Sequence, residues 1–217
     1  MAPDEPGRIR RIEAQARALM KDALPSHGWD HVERVRRLAR RIARAEGADE
    51  AIVDLAAILH DTGRKEEDES RGKICHAEVS EGHARRILRA EGYDVETVER
   101  VCACILTHRF RKARPPGSIE AKALFDADKL DAIGAVGIAR AFLFAGEVGA
   151  RLHNPEVEID PTGAYGIEDS AWREFRVKLR FLRDRMLTGE GRRIAGRRHA
   201  YMEEFFRLLG EESDGAL

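Results

Sequence analysis

Apolar residues recur at three- and four-residue steps along almost the whole chain, and no run alternates with the two-residue period of a half-buried strand. The pattern predicts a helix over 6–21, broken by Pro25-Ser26-His27-Gly28. Asp30, with Glu33 three residues on, reads as a capping box that opens a second helix. Its stripe is Val32, Val35, Leu38, Ala39 and Ile42, and Gly47 stops it. Residues 51–59 are apolar on nearly every face, which places that helix in the core. It ends at His60-Asp61-Thr62-Gly63, with Gly63 as its C-cap. A charged loop over 64–73 leads to a helix over 76–90. The next helix starts at Asp94 and turns Val95, Val98, Val101, Cys102, Ile105 and Leu106 inward. Ser118 opens a long helix that reaches Phe144. Residues 147–166 carry several Gly and Pro and little periodicity; a connection that long generally serves function or motion. Two closing helices complete the chain. The first carries Trp172, Phe175, Leu179, Leu182 and Met186, and the second Ile194, Tyr201, Phe205 and Leu208. The fold class is all-α.

Composition agrees with a globular protein. Of 217 residues, 43% are hydrophobic and 35% charged, which argues against disorder. The length suits a single domain over 1–217, with a core at about 25–147 and closing helices at about 168–212 packed on it. No apolar run approaches the roughly 18 residues of a membrane helix, and the first residues lack an apolar signal segment. The 38 Lys+Arg nearly balance 39 Asp+Glu, which disfavours a general nucleic-acid binder. The odd set Cys75, Cys102 and Cys104 has no usual metal spacing and fits a reducing cytoplasm.

Three polar groups interrupt the apolar pattern. His60-Asp61 puts two ionisable side chains at the end of the most apolar helix. A buried charge is costly unless it is paired or metal-bound, so this is either a plain polar terminus or part of an ion site. Asp128 and Asp131 lie three apart on a helix face that continues through Leu124 and Ala135. Carboxylates there need a cation, whether a metal ion or an arginine. His27-Gly28-Trp29-Asp30-His31 sets one histidine before a helix and another in its first turn.

The order His, His-Asp, distant Asp on three helices resembles the HD-domain superfamily of metal-dependent phosphohydrolases. The resemblance implies an HD-domain helical bundle with a metal site between helices. It makes His31, His60, Asp61 and Asp128 the ligands. Further stretches resemble a bacterial and archaeal subgroup: residues 27–35, residues 126–135 with Gly137-Ile138-Ala139-Arg140, and the tail Arg185-Met186, Arg198-His199 and Met202-Glu203-Glu204-Phe205. That subgroup includes manganese-dependent pyrophosphohydrolases acting on deoxynucleoside triphosphates. Glu174 departs from it, standing where relatives commonly carry histidine.

The activity implied by the resemblance is hydrolysis of (deoxy)nucleoside triphosphates to monophosphate and pyrophosphate through a metal-bound water. The mixed nitrogen–oxygen ligand set favours Mn²⁺, with Mg²⁺, Fe²⁺, Ni²⁺ and Co²⁺ compatible. Asp61, Lys129 and His108 are the implied catalytic residues. His27, Arg34, Arg64, Lys65 and Lys178 are candidate substrate contacts. His76 with His108 could hold a second ion, a single ion ranking first. Arg109, Arg111, Lys112 and Arg114 form a further basic cluster, whereas the arginines between Arg34 and Arg44 read as a wet helix face. The expected partner is a small-molecule nucleotide, with no nucleic acid and no membrane; the closing helices could pair two copies as a homodimer. The alternatives are a 5′-nucleotidase-type phosphomonoesterase and a non-catalytic nucleotide sensor. A cyclic-dinucleotide phosphodiesterase is disfavoured, because no Gly-Tyr-Pro motif comes after His108.

Overall fold

The computed structural model describes residues 4–109, 114–155 and 166–216. Arg111 and Lys112 of the basic cluster lie outside them, as does much of the 147–166 connection. The described residues contain helices and no strand, as the periodicity predicts. They form two compact units, Met1–Asp128 and Lys129–Leu217.

The first unit is built around one short apolar helix. Its elements are α1 (Glu5–Leu19), a 3₁₀ turn (Pro25–His27), α2 (Trp29–Glu46), α3 (Glu50–Leu59), α4 (Arg64–Glu69), α5 (His76–Ala90), α6 (Val95–Thr107) and most of α7 (Ile119–Asp131). The α3 helix packs against α1, α2, α5 and α6. It buries Ile52, Val53, Leu55, Ala56, Ala57, Ile58 and Leu59. Each large side chain of this kind gains roughly 1.5–3 kcal/mol by leaving water, so no face of α3 can stay wet without loss. The Asp49 carboxylate starts the helix, accepting from the amides of Ala51 (3.1 Å) and Ile52 (3.3 Å). On α2, Val32, Val35, Ala39 and Ile42 are fully buried.

Local details depart from the sequence pattern. Gly28, not Asp30, is the N-cap of α2. Asp30 lies inside the first turn and bonds Arg34 at 2.5 Å, while Glu33 accepts from Trp29 Nε1 at 2.9 Å. The capping box therefore does not form, because side-chain donors engage both carboxylates. Gly63 is not a left-handed C-cap: its φ is −100°, and it begins α4 inside the stretch expected to be a loop. Close approach explains the glycine, since a Cβ there would stand 2.5 Å from Val79 Cβ and 2.7 Å from the His76 carbonyl oxygen. Val95, expected inward, is 70% exposed.

The long helix expected over 118–144 is broken. α7 stops at Asp131, and α8 (Gly134–Glu147) begins after a turn in which Gly134 has φ +76°. A side chain at Gly134 would be strained and would meet Arg198 Cβ at 2.9 Å.

The second unit contains α8, α9 (Ala171–Val177), 3₁₀ turns at Leu179–Phe181 and Arg183–Arg185, and α10 (Gly189–Ser213). The first closing helix is thus a short helix continued by tight turns, although Phe175, Leu179, Leu182 and Met186 are buried as expected. On α10 the buried row is Ala195, His199, Met202 and Phe206, displaced from the expected Ile194, Tyr201 and Phe205. Phe206 stacks on Phe175 at 4.3 Å between ring centroids, which leaves Tyr201 on the outside, 56% exposed.

Candidate metal centre

Helix ends of the first unit deliver six ligand-type side chains to one buried place. His31 comes from the first turn of α2, His60 and Asp61 from the end of α3, and His76 from the start of α5. His108 ends α6, and Asp128 comes from α7. His31, His60, Asp61, His76 and His108 are at most 2% exposed, and the Asp128 side chain is 16% exposed.

These donors fall into two adjoining groups. The ligand atoms of His31, His60 and Asp128 lie within 4.8 Å of one another, and so do those of Asp61, His76 and His108. Asp61 faces both. Its Oδ2 is 3.4 Å from His31 Nε2 and 3.7 Å from His60 Nε2. Its Oδ1 is 3.2 Å from His76 Nε2 and 3.8 Å from His108 Nε2. His31 Nε2 also lies 3.5 Å from Asp128 Oδ1.

Bonds behind the rings decide which nitrogen faces the centre. His60 Nδ1 donates to the Ala57 carbonyl at 2.8 Å, and His108 Nδ1 to the Ile105 carbonyl at 2.6 Å. His76 Nδ1 donates to Glu67 Oε2 at 2.5 Å. With Nδ1 carrying the proton, each Nε2 presents a lone pair. His76 and His108 then bring two lone pairs within 3.0 Å of each other. The Nε2 atoms of His31 and His60 are 3.4 Å apart. Two acceptors face to face, as at His76 and His108, repel unless a cation lies between them, so the donor set fits a metal ion.

Electrostatics favour a metal over a proton in that role. Burial lowers the affinity of His60 for a proton despite the neighbouring Asp61 charge. Burial and the Arg64 charge bring His76 down to about 4. Burial, with His76 and His60 alongside, holds His108 well below its usual value. Burial alone would raise Asp61, but the Arg64 charge beside it, with the surrounding imidazoles, brings its carboxyl well below the usual range. Neutral imidazoles beside ionised carboxylates are the protonation states that metal ligation needs.

The remaining sequence-predicted residues divide. Arg64 joins the centre: its Nη2 is 3.1 Å from both Asp61 oxygens, and its Nη1 is 2.7 Å from Glu67 Oε2. The His27 ring packs edge-on near His31, centroids 6.4 Å apart, with Nδ1 3.1 Å from Ser26 Oγ. Lys129 is the residue after Asp128 on α7. Arg34 is engaged by Asp30. Lys65 pairs with Asp22 at 3.1 Å and is 40% exposed. Lys178, in the second unit, pairs with Glu174 at 2.5 Å. Asp131 takes the arginine alternative, meeting Arg140 at 3.1 Å.

Glu67 is the participant that sequence reasoning missed. It is 1% exposed and contacts His76, Arg64 and Arg109. It sits in the acidic run Glu66-Glu67-Asp68-Glu69, where composition singles out no member. The three-residue spacing from Arg64 was its one signal, legible only if the segment is read as a helix.

Comparison with known proteins agrees with this geometry. The HD domain family pattern matches residues 28–133. The Bacillus subtilis protein YpgQ is 39% identical over 209 residues, covering 94% of this chain and 93% of YpgQ. The crystal structure of YpgQ in complex with ADP superposes with a TM-score of 0.71 at 35% identity, covering 92% of this chain and 97% of that one. A Lactobacillus plantarum protein gives a TM-score of 0.78 at 30% identity, covering 96% and 98%. An HD-superfamily hydrolase from Bacillus thuringiensis gives 0.70 at 27% identity, covering 95% and 98%.

Proposed function

This chain belongs to the HD-domain family of metal-dependent phosphohydrolases, and within it we propose that the protein hydrolyses nucleoside triphosphates, deoxy forms foremost, to the monophosphate and pyrophosphate. The observation that carries the reading is the buried convergence of imidazole nitrogens on the two oxygens of Asp61. A divalent ion held there supplies Lewis acidity, lowers the pKa of a water and neutralises charge developing on phosphorus. The mixture of carboxylate and imidazole suits Mn²⁺.

Our assignment of roles uses the two donor groups. His31, His60 and Asp128, with Asp61 Oδ2, form the principal ion position. Asp61 Oδ1, His76 and His108 would form a second, which their mutual distances support more strongly than the family resemblance did. His108 then serves as a ligand rather than as a phosphate contact. Lys129, next to Asp128 in the chain, and Arg64, against Asp61, are the cations we assign to the phosphates, with His27 at the edge of the site. Arg34 and Lys65 are outer contacts in this scheme, and each would exchange a carboxylate partner for a phosphate. The three free cysteines, two of them buried, fit a cytoplasmic setting.

Attack at the α-phosphorus is supported by the resemblance at residues 126–140 and by the ADP bound to YpgQ, since ADP carries the α,β-anhydride that would break. Chromatography of a deoxynucleoside triphosphate digest with Mn²⁺ tests the proposal. Monophosphate plus pyrophosphate supports it. Stepwise appearance of diphosphate, or phosphate released from monophosphates alone, overturns it in favour of a nucleotidase.

A further inference from the structure

His60, His76 and His108 are oriented through Nδ1 in two different ways, and helix polarity explains the difference. His60 and His108 lie at helix C-termini, where the last carbonyls have no helical partner. Each bonds the carbonyl three residues earlier in its own helix end. His76 is the first residue of α5, and a helix N-terminus offers free N–H groups instead of free carbonyls. Its Nδ1 proton therefore needs an acceptor from elsewhere in the chain. Glu67, nine residues upstream on α4, supplies it at 2.5 Å.

We propose that Glu67 is a positioning residue for the second cation position, its carboxylate holding the His76 ring so that Nε2 faces Asp61 and His108. The carboxylate is itself held. Arg64 Nη1 bonds Oε2 at 2.7 Å, and Arg109, the residue after His108, pairs with Oε1. Arg109 Nη1 lies 3.0 Å from His76 Nδ1, and with Nδ1 protonated these two donors converge on the same carboxylate rather than bonding each other. One buried carboxylate thus ties the start of α5 to the end of α6, the two places that deliver His76 and His108. An ionised acceptor on Nδ1 also makes Nε2 a stronger donor to a metal, as partners behind metal-bound histidines generally do.

This role presupposes that the Asp61, His76 and His108 group takes a cation, so the experiment reads ring geometry and ion binding separately. Nitrogen-detected NMR of the metal-free protein reports the His76 tautomer, and calorimetric titration with Mn²⁺ alone reports stoichiometry and affinity. In the unsubstituted protein we expect a fixed Nδ1–H tautomer and two equivalents of Mn²⁺. Glu67→Ala should give mixed tautomers and weaken one equivalent by about 10- to 100-fold, leaving the other unchanged. Glu67→Gln, which retains the shape and an acceptor oxygen, should keep the tautomer and weaken the same equivalent by less; it carries the comparison if the alanine variant loses helix content. Variants matching the unsubstituted protein in both readouts overturn the role of Glu67. An unsubstituted protein that binds one equivalent overturns the second cation position and the role with it. The metal-free tautomer distinguishes that failure from a wrong assignment of Glu67.

Discussion

The histidine centre of the first unit and the carboxylate pairs of the second unit both bury acidic groups, but they neutralise them differently. In the second unit, Asp131 is closed by Arg140 at 3.1 Å and Asp169 by Arg173 at 2.8 Å. Each carboxylate has a guanidinium of its own, and local charge is balanced by the chain. In the first unit, Arg64 is shared between Asp61 and Glu67, and Asp61 also faces four imidazole Nε2 atoms. Three of those rings have committed their Nδ1 proton elsewhere. A buried carboxylate points to an ion site when the imidazoles around it turn lone pairs, not protons, toward it. Asp128 and Asp131 illustrate the contrast: they stand three residues apart on α7, yet one meets His31 and the other Arg140.

The largest effect should come from the carboxylate that the two donor groups share. Asp61→Ala is expected to reduce hydrolysis by about 10³-fold or more, as several kcal/mol of transition-state charge stabilisation disappear with the ion. Mn²⁺ binding should weaken in parallel, while circular dichroism keeps its helical signal. Full turnover in a purified, metal-quantified Asp61→Ala protein would break the contrast drawn between the two regions.

Asp131→Ala should do the reverse. Removing one partner of a buried ion pair costs about 3–5 kcal/mol, because Arg140 would be left without this partner. Denaturant unfolding should register that loss, while the folded fraction retains Mn²⁺ binding and most of its turnover. Replacing Asp131 and Arg140 together with apolar residues of similar volume should recover much of the stability. If Asp131→Ala instead abolished ion binding in folded protein, Asp131 would belong with the ligands.

A smaller effect concerns pH in chelator-treated protein. His76 titrates at about 4 in the fold, against an ordinary value of 6.5. Between those values the unfolded chain binds a proton that the folded chain refuses, so stability rises with pH across the window and falls as pH drops from about 6.5 toward 4. His60 and His108, also held low, act in the same direction. The His76 share is on the order of 3 kcal/mol. Glu67, at about 2 against 4.5, contributes stability above 4.5 that is lost as pH falls further. Unfolding curves at stepped pH with chelator present should trace this decline; a flat profile between pH 7 and 5 would show that the imidazoles are not buried in neutral form.

The all-α class was readable from the chain because helical periodicity is local: each buried stripe on α2, α3 and α6 depends on residues three and four apart. The candidate ligands stood out for a related reason. His60-Asp61 is conspicuous beside the most apolar helix, and charge in such a place demands compensation wherever the helix ends up. Periodicity carried less information at the breaks. The turn before Gly134, the formation of α4 where a loop was expected and the displaced buried row of α10 depend on what each segment packs against. Val79 and His76 crowd Gly63, Arg198 crowds Gly134, and Phe175 draws in Phe206. Periodicity could not separate Asp128 from Asp131, since both lie on one helix face; the family resemblance singled out Asp128, and the tertiary structure gives the physical reason, bringing His31 to Asp128 and Arg140 to Asp131. That structure also decided the place of Glu67, because the need of His76 for an outside acceptor exists only once that ring sits at a helix N-terminus, where no carbonyl of its own helix end is open to take its proton.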